Sequence, residues 1–312
     1  MMDNYAVLLA TYNGEKYIKE MLDSLERQTR DDFVCYIHDD GSSDGTVDIV
    51  KKWIKGKKNY KLLKFDSPKG AKNNFLAMLG HVDASYYMFA DQDDVWVPDK
   101  VETLIDRMET VEKDRQYTPV VVYSDMYVVD DELNVISDSF IQFIGRNIYR
   151  NKLSQLLIDN PAAGCTMIIN RALRDRALQY NDSDEIPMHD QWIMCVAAAT
   201  GIVEPINKPL VYYRQHTENV MGARGESMKD KALRNAKDIV TGEFAKGKRE
   251  FHLKEIRLAK QLMYITNIGD DTRKFLMELI LINNRSKLER MAFYKKHGMD
   301  RDKYSLWMRL WV

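Results

Sequence analysis

Apolar positions in the first hundred residues follow two periods in turn. Short apolar runs, typical of buried strands, occur at 5–12, 33–40, 60–66 and 85–91. Apolar residues at helical spacing lie between these runs, at 15–28, 42–55 and 71–82, and Ser43 or Asp44 is placed to cap the second of these helices. A further helix is expected after Pro98, with an apolar stripe at Val101, Leu104, Ile105, Met108 and Val111. Strands that alternate with helices predict an α/β protein with a doubly wound, mostly parallel sheet.

The pattern changes from about Val120. The stretch VVVYSDMYVVD followed by ELNVIS predicts a hairpin. CTMIIN, GIVEPI and LVYYRQH predict further strands around a helix that begins near HDQWIMCVAAAT. After about residue 225 the chain is rich in Lys and Arg and has a helical period. We therefore expect one α/β domain over residues 1–225 and a helical C-terminal extension over residues 226–312.

The charge balance argues against one class of partner. Lys and Arg number 46 against 47 Asp and Glu, which gives a net charge of −1, whereas a nucleic-acid binder normally has a basic excess. Cys35, Cys165 and Cys195 fit no zinc spacing and are expected to be reduced thiols. We see neither a signal peptide nor an uncharged apolar run of about 18 residues that would cross a membrane. A cytoplasmic location is the expectation.

Polar residues gather at the ends of three predicted strands. They are Thr11-Tyr12-Asn13, Asp39-Asp40 and the acidic stretch Asp91-Gln92-Asp93-Asp94. Ligands of doubly wound sheets bind outside the carboxyl ends of the strands. The three strand ends therefore predict one binding site at a single edge of the sheet.

The acidic stretch offers ligands for a metal ion. Asp91 and Asp93 are two positions apart at a strand end, where they can share Mg²⁺ or Mn²⁺, and such an ion can neutralise a departing diphosphate. The alternative is an aspartate-rich turn that caps the next helix. Asp39 could accept a hydrogen bond from a nucleobase N–H, or it could simply belong to the turn DDGSSDG.

Five stretches, in this order along the chain, resemble family 2 glycosyltransferases, which are inverting nucleotide-sugar enzymes with the GT-A fold. They are LATYNGEKYI, HDDGSSDGT, DQDDVWVPDK, MHDQW and YRQH, within the first ~220 residues. The resemblance implies a nucleotide-sugar-binding half over residues 1–100 and an acceptor half over residues 101–225.

The resemblance also implies roles for single residues. The nucleotide side takes Thr11, Tyr12, Asn13, Glu15, Asp39, Asp40, Lys69, Asn73, Asp91 and Gln92. The implied ligands of Mn²⁺ or Mg²⁺ are Asp91, Asp93 and His216, and the implied catalytic base is Asp190. An inverting transfer does require a base for the acceptor hydroxyl and an electrophile for the diphosphate. The alternative for Asp190 is a helix N-cap, and the alternative for His216 is a surface or core histidine.

The acceptor or phosphate side is assigned more loosely. Arg214 could pair with phosphate or with a local acid, and the other residues considered there are Gly164, Cys165, His189, Gln191 and Trp192. Gly164 and Cys165 precede a predicted strand, and packing alone would also explain them.

The donor, the acceptor and the role of the C-terminal extension follow from the same resemblance. The combination DQDDVW, NPAAGCTMIINR, HDQW and YRQH is most similar to bacterial rhamnosyltransferase-type members, which implies a dTDP-sugar donor; a UDP-hexose transferase is the alternative. The chain lacks the QxxRW element of processive members, so we expect one sugar to be added per encounter to a saccharide or lipid-linked saccharide. Basic residues with Trp307 and Trp311 are typical of an interfacial helix at the inner membrane face, or of helices that pack on the core or form a homodimer.

Three other functions compete with this reading. A nucleotidyltransferase would need a better phosphate loop than ATYNGEKY, and a dehalogenase-type phosphatase would need aspartates after its first strand. A non-catalytic nucleotide-sugar-binding subunit would be free to lose Asp91, Asp93 and Asp190, which are all present.

Overall fold

The computed structural model describes residues 3–115, 117–215 and 243–299, with the backbone alone for residues 3 and 243–248. His216, Trp307, Trp311 and the boundary expected near residue 225 lie outside the described residues.

The first half of the chain alternates strands and helices, as the apolar pattern predicts. Its strands are β1 (Asp3–Thr11), β2 (Phe33–Asp39), β3 (Tyr60–Leu62) and β4 (Ala84–Asp91). Its helices are α1 (Ile18–Glu26), α2 (Thr46–Ile54) and α3 (Ala71–His81). The N-cap of α2 is Gly45, while the Asp44 carboxylate accepts a 3.0 Å bond from the N–H of Thr46. All neighbouring pairs in the order β3-β2-β1-β4 are parallel.

The second half adds five strands and eight helices within the described residues. The strands are β5 (Val95–Trp96), β6 (Val120–Val129), β7 (Val135–Ser137), β8 (Met167–Asn170) and β9 (Ile202–Arg214). The helices are α4 (Lys100–Glu112), α5 (Phe140–Phe143), α6 (Leu153–Leu156), α7 (Arg171–Ala177), α8 (His189–Thr200), α9 (Glu243–Leu262), α10 (Asp270–Ile280) and α11 (Lys287–Lys296). Short 3₁₀ turns lie at Gly164–Thr166, Ser183–Glu185 and Ile282–Asn284.

One mixed sheet joins the two halves. Its order is β3-β2-β1-β4-β8-β6-β9-β5, with β7 paired to β6. Strand β8 is antiparallel to both β4 and β6, and β5 is antiparallel to β9. The pairings leave β1, β2, β3, β4, β6 and β9 in one direction, so the expectation of a mostly parallel sheet is confirmed. The two strands expected at 201–206 and 210–216 are, within the described residues, a single strand with register shifts around Asp125.

Both faces of the sheet are covered by helices. Alternate residues of β1 divide between the two faces: Tyr5, Val7 and Leu9 pack with α1 and α4, and Ala6, Leu8 and Ala10 pack with α3 and α8. The predicted stripe of α4 is buried throughout. Helices α9, α10 and α11 bury apolar residues in the same cluster as α3 and α8. The described part of the extension therefore packs on the main core.

Across the described residues, no helix combines the length and the apolar character needed to cross a bilayer.

Candidate active site

The ends of β1, β2 and β4 lie side by side, as the strand-end pattern predicts. Thr11 pairs with Asp39 across β1 and β2, and Ala10 pairs with Asp91 across β1 and β4. The acidic stretch that follows β4 therefore lies at the same edge of the sheet as the loops that follow β1 and β2. This edge is the candidate active site.

Gln92 ties the loop after β4 to the loop after β1. Its side-chain amide donates to the Tyr12 carbonyl at 2.7 Å and accepts from the Tyr12 N–H at 2.9 Å. Gly14 passes so close that a Cβ there would lie 2.1 Å from Gln92 Oε1. Gln92 is thus a loop-positioning residue, and it leaves the ring of Tyr12 exposed at the edge of the site.

Asp39 holds the turn after β2 through all of its acceptor positions. Oδ1 accepts from the hydroxyls of Thr11 and Ser42 at 2.9 and 2.6 Å, and Oδ2 accepts from the N–H groups of Gly41 and Ser42 at 3.0 and 2.8 Å. A carboxylate offers about four lone-pair sites. A nucleobase N–H could reach Asp39 only if one of the two hydroxyls turned away.

Asn13 and Glu15 join the same two loops. Asn13 has a left-handed backbone, with φ 47°, and its Oδ1 accepts from the Ser43 N–H at 2.8 Å. Glu15 Oε2 accepts from the Gly45 N–H at 2.7 Å. Both side chains fix loop geometry, so in this structure they serve the site indirectly.

Asp40, Lys69 and Asn73 meet at the start of α3. The buried Asp40 accepts a 2.6 Å bond from the Gly70 N–H, and the Lys69 ammonium donates to the Asp40 carbonyl. Asn73 Nδ2 donates to the Lys69 carbonyl at 3.0 Å, while its Oδ1 is buried and lacks a partner within the described residues. Asp40 therefore anchors α3, and Lys69 remains largely exposed beside the site.

A cleft opens next to Asp39. Its volume is about 490 Å³, and its lining combines Val47, Leu62 and Phe65 with Lys51 and Lys64. Apolar walls with a few charged groups are typical of small-molecule sites.

The acidic stretch crowds negative charge into a buried space. A carboxylate oxygen of Asp91, one of Asp94 and Sγ of Cys165 lie within 4.8 Å of one another. Burial raises the pKa of Asp91 to about 7, and repulsion from Asp93 and Asp190 acts in the same direction. Burial also raises the pKa of Asp94, which is 1% exposed, and repulsion from Asp93 and Asp91 acts in the same direction, against a hydrogen bond from the Cys165 thiol.

These residues fit a hard divalent cation. Carboxylate oxygens are the ligands that Mg²⁺ and Mn²⁺ prefer, and a cation would relieve the crowding of negative charge. The thiol of Cys165 is a softer ligand and suits these two ions less well. Asp91 and Asp93 remain the predicted metal ligands.

Asp190 lies in the first turn of α8. The N-cap of α8 is Met188, so the N-cap alternative for Asp190 does not hold. Burial raises the pKa of Asp190 to about 6, against hydrogen bonds from the N–H groups of Gln191 and Gly164 and the charges of Lys254 and Arg146. Its charge also raises the pKa of Asp91, which places the two carboxyls near each other. A carboxyl with a pKa near the working pH suits proton transfer.

His189 is a buried neutral ring beside Asp190. It packs against Phe75 and Phe89, with ring centroids 4.4 and 5.5 Å away, and burial lowers its pKa to about 3. Neither ring nitrogen has a partner within the described residues. Gly164 passes directly over the ring, and a Cβ on Gly164 would lie 2.4 Å from His189 Nε2.

Gly164→Ala should therefore destabilise the protein by about 1–3 kcal/mol, because the added methyl overpacks a ring that two phenylalanines hold in place. Urea unfolding measures the change. Gly80→Ala is the matched control: Gly80 is an exposed residue within α3 with open space around it, and alanine there should stabilise by up to about 1 kcal/mol. Equal stabilities for the two variants would contradict the close approach.

Gln191, Trp192 and Cys165 are not available to an acceptor. The buried Gln191 donates to the Leu156 carbonyl at 3.0 Å, and the fully buried Trp192 donates its indole N–H to the Ala177 carbonyl at 2.8 Å. Cys165 is 1% exposed. Gln191 and Trp192 tie α8 to α6 and α7, and Cys165 packs in the cluster of β1 and α4, so packing accounts for all three side chains.

Arg214 anchors the acidic stretch and is not free to bind phosphate. Its Nε donates to the Asp93 carbonyl at 3.0 Å, and its other nitrogens donate to the Asp131 carbonyl and the Glu20 carboxylate. The guanidinium also lies over the Tyr17 ring, 4.8 Å from its centroid, and is 2% exposed. The local-acid alternative for Arg214 is the one that the structure supports.

Sequence reasoning assigned no role to three charged residues near the site. Lys100 is fully buried beside the acidic stretch, and Arg146 and Lys254 act on Asp190 by charge. Lys254 belongs to α9, in the C-terminal extension. The position of Lys100 just before the apolar stripe of α4 was the one local signal; nothing in the chain pattern points to the other two.

Known proteins resemble this chain in sequence. The sequence model of Glycosyl transferase family 2 matches residues 6–177. The dTDP-rhamnosyl transferase RfbG of Shigella flexneri is 28% identical over 236 residues, which are 69% of this chain and 74% of that protein.

Two solved structures are similar in fold. S. aureus TarS 1–349 in complex with UDP-GlcNAc matches this chain with a TM-score of 0.58 and 19% sequence identity. The match covers 94% of this chain and 79% of the TarS chain. The mannosyltransferase PcManGT from Pyrobaculum calidifontis, with GDP-Man and Mn²⁺, has a TM-score of 0.52 at 15% identity, over 99% and 86% of the two chains. These likenesses show the GT-A fold. Because the family model spans more than half of the residues, the chain belongs to glycosyl transferase family 2 and is a glycosyltransferase.

Proposed function

We propose that this enzyme moves one sugar from a nucleoside-diphosphate sugar, with dTDP-rhamnose as the first candidate, to a saccharide or lipid-linked saccharide of a bacterial cell surface. The transfer inverts the anomeric carbon and depends on Mn²⁺ or Mg²⁺. The observation that carries the proposal is the buried cluster of Asp91 and Asp94 at the end of β4, where the charge of Asp190 also raises the pKa of Asp91.

The residues divide the chemistry between them. The Asp190 carboxylate takes the proton of the acceptor hydroxyl as that oxygen attacks the anomeric carbon and the bond to the diphosphate breaks. Asp91 and Asp93 would hold the cation, which supplies positive charge to the departing diphosphate. We assign the exposed side chains of Lys69 and Tyr12 to contacts with the nucleotide. Arg214 holds the Asp93 backbone so that the metal-binding loop keeps its shape.

Two donors have specific support. The likeness to RfbG, whose name specifies dTDP-rhamnose, favours a dTDP-sugar. The structural likeness to TarS, solved with UDP-GlcNAc, keeps a UDP-hexose as the second candidate. Both nucleotides carry a pyrimidine base, and the cleft beside Asp39 is the space that we assign to it.

Calorimetric titration of dTDP and UDP, with and without Mn²⁺, tests the proposal. We expect Mn²⁺ to strengthen binding of the preferred nucleotide at least tenfold, about 1.4 kcal/mol, and Asp93→Asn to abolish that gain. Asp99→Asn is the matched control, since Asp99 is a nearby aspartate that pairs with Lys208 on the surface. The nucleotide that binds more tightly identifies the donor class.

The titration also has an outcome that would overturn the metal assignment. If binding is indifferent to Mn²⁺ and to Asp93→Asn, the acidic stretch is a helix-capping turn and the enzyme works without the ion. If neither nucleotide binds, the donor is of another class.

A further inference from the structure

Lys100 is a charged side chain inside the protein. It is the first residue of α4 and has no exposed surface. Its ammonium donates a 2.6 Å hydrogen bond to the Cys165 carbonyl and lies 3.1 Å from the centre of the Trp96 ring. A buried charge costs several kcal/mol unless its surroundings compensate it. One carbonyl and one aromatic face are a small set of partners for an ammonium with three donors.

The acidic stretch lies close to this ammonium. Cys165, whose carbonyl accepts the hydrogen bond of Lys100, places its Sγ within 4.8 Å of a carboxylate oxygen of Asp91 and one of Asp94. Burial lowers the pKa of Lys100 to about 7, and the nearby carboxyls of Asp94 and Asp91 act against that shift.

The hydrogen bond of Lys100 leads to a turn that packs against the start of α8. Cys165 belongs to the turn Gly164–Thr166, and this turn lies against His189, the neighbour of Asp190: a Cβ on Gly164 would lie 2.4 Å from His189 Nε2. The carbonyl of Cys165 therefore connects Lys100 to the turn that packs beside the base. One buried side chain spans from the loop of Asp91 and Asp94 to the turn beside Asp190.

We propose that Lys100 is a positioning residue for the transfer reaction: its ammonium holds the metal-binding loop and the Gly164–Thr166 turn in a fixed relation, so that the cation and the base act on one acceptor. Lys100 touches no substrate. The inference rests on the proposed function, because it assigns Lys100 to the metal and base sites described above. A displacement of catalytic groups by about 1 Å can cost on the order of 100-fold in rate.

Lys100→Met tests the proposal, since methionine keeps an unbranched apolar stem and removes both the charge and the donor. We expect kcat to fall about 10–100-fold with little change in acceptor KM, and Mn²⁺ affinity, followed by electron paramagnetic resonance in the presence of dTDP or UDP, to weaken about tenfold. Lys100→Gln keeps a donor that can reach toward Cys165 and should lose less kcat than Lys100→Met. It also keeps the test usable if the methionine variant fails to fold.

Leu104→Ala separates positioning from stability. Leu104 is fully buried one turn later in α4, and its truncation should cost about 2–5 kcal/mol without touching the acidic stretch. Assayed at a temperature where both variants are folded by circular dichroism, Leu104→Ala should keep its kcat and Mn²⁺ affinity. Lys208→Met, which removes a surface lysine paired with Asp99, controls for the loss of a positive charge near α4.

Two results would overturn the role of Lys100. Equal kcat losses in Lys100→Met and Leu104→Ala would make Lys100 a stability residue alone. Tighter Mn²⁺ binding by Lys100→Met at unchanged kcat would mean that its charge merely repels the cation. Both results presuppose that nucleotide binding by the wild-type enzyme depends on Mn²⁺. A wild type without that dependence contradicts the proposed metal site itself, and this outcome is distinguished from a failure of the Lys100 proposal by the wild-type titration alone.

Discussion

Asp190→Asn should turn over about 10²–10⁴-fold more slowly than the wild type, with its Mn²⁺-dependent nucleotide affinity unchanged. The amide of asparagine has nearly the shape of the carboxylate but cannot take the proton of the acceptor hydroxyl. Initial rates of sugar transfer, together with calorimetric titration of the nucleotide, separate the loss of the base from any loss of donor binding.

The raised pKa of Asp190 also predicts that Asp190→Asn changes the pH dependence of the free energy of unfolding. Burial holds the folded pKa at about 6, above the ordinary value of 3.8, so the folded protein binds the proton more tightly than the unfolded chain. The free energy of unfolding therefore falls as pH rises from about 3.8 through about 6. At pH 7 the Asp190→Asn variant should be more stable than the wild type by roughly 1–2 kcal/mol, a value discounted because this side chain is partly exposed. The wild-type kcat/KM should fall about tenfold per pH unit below about pH 6, where the base is protonated.

Asp184→Asn is the matched control for Asp190→Asn. Asp184 is an exposed aspartate in the turn Ser183–Glu185, just before α8, so its loss changes the net charge equally and should leave rate and stability unchanged. An Asp190→Asn enzyme within threefold of the wild-type kcat would remove Asp190 as the base and would favour the reading of the chain as a nucleotide-sugar-binding subunit.

The sequence predicted those parts of the fold that depend on the apolar pattern of a single strand or helix. β1, β2 and β4 are apolar runs that end in polar residues, and this local pattern was enough to place their ends at one edge. The direction of β8 could not be predicted, because MIIN is buried at all four positions and reads the same in either orientation. Its antiparallel insertion between β4 and β6 is set by tertiary packing.

The site divides in the same way. Asp91 was predicted because it ends an apolar strand, and Asp190 was predicted from the family resemblance of the stretch MHDQW. The basic residues near these two carboxyls were not predicted. Lys254 comes from α9, and Lys100 has the sequence pattern of an ordinary polar residue at a helix start. Asp39 and Arg214 were assigned to ligands from their motifs, whereas the structure engages both in hydrogen bonds within the protein. The residue type shows which chemistry a side chain can perform, and its hydrogen-bond partners in the fold decide whether the side chain is free to bind a ligand.

Arg214→Met should lower the free energy of unfolding by about 2–4 kcal/mol. The Glu20 carboxylate is 53% exposed, so that ion pair alone contributes little. The larger cost comes from the carbonyls of Asp93 and Asp131, which lose a charged donor that is itself 2% exposed. Urea unfolding measures the change. Arg107→Met is the matched control, because Arg107 pairs with Glu204 at the surface and its removal should cost less than about 1 kcal/mol.

The same variant decides between the two interpretations of Arg214. An anchor for the metal-binding loop predicts that Arg214→Met loses stability first, and that Mn²⁺-dependent nucleotide affinity falls because the Asp93 backbone is no longer held. A phosphate ligand predicts the reverse: unchanged stability, with nucleotide affinity reduced at least tenfold with or without Mn²⁺. Stability equal to that of Arg107→Met, combined with such a loss of affinity, would return Arg214 to the phosphate side of the site.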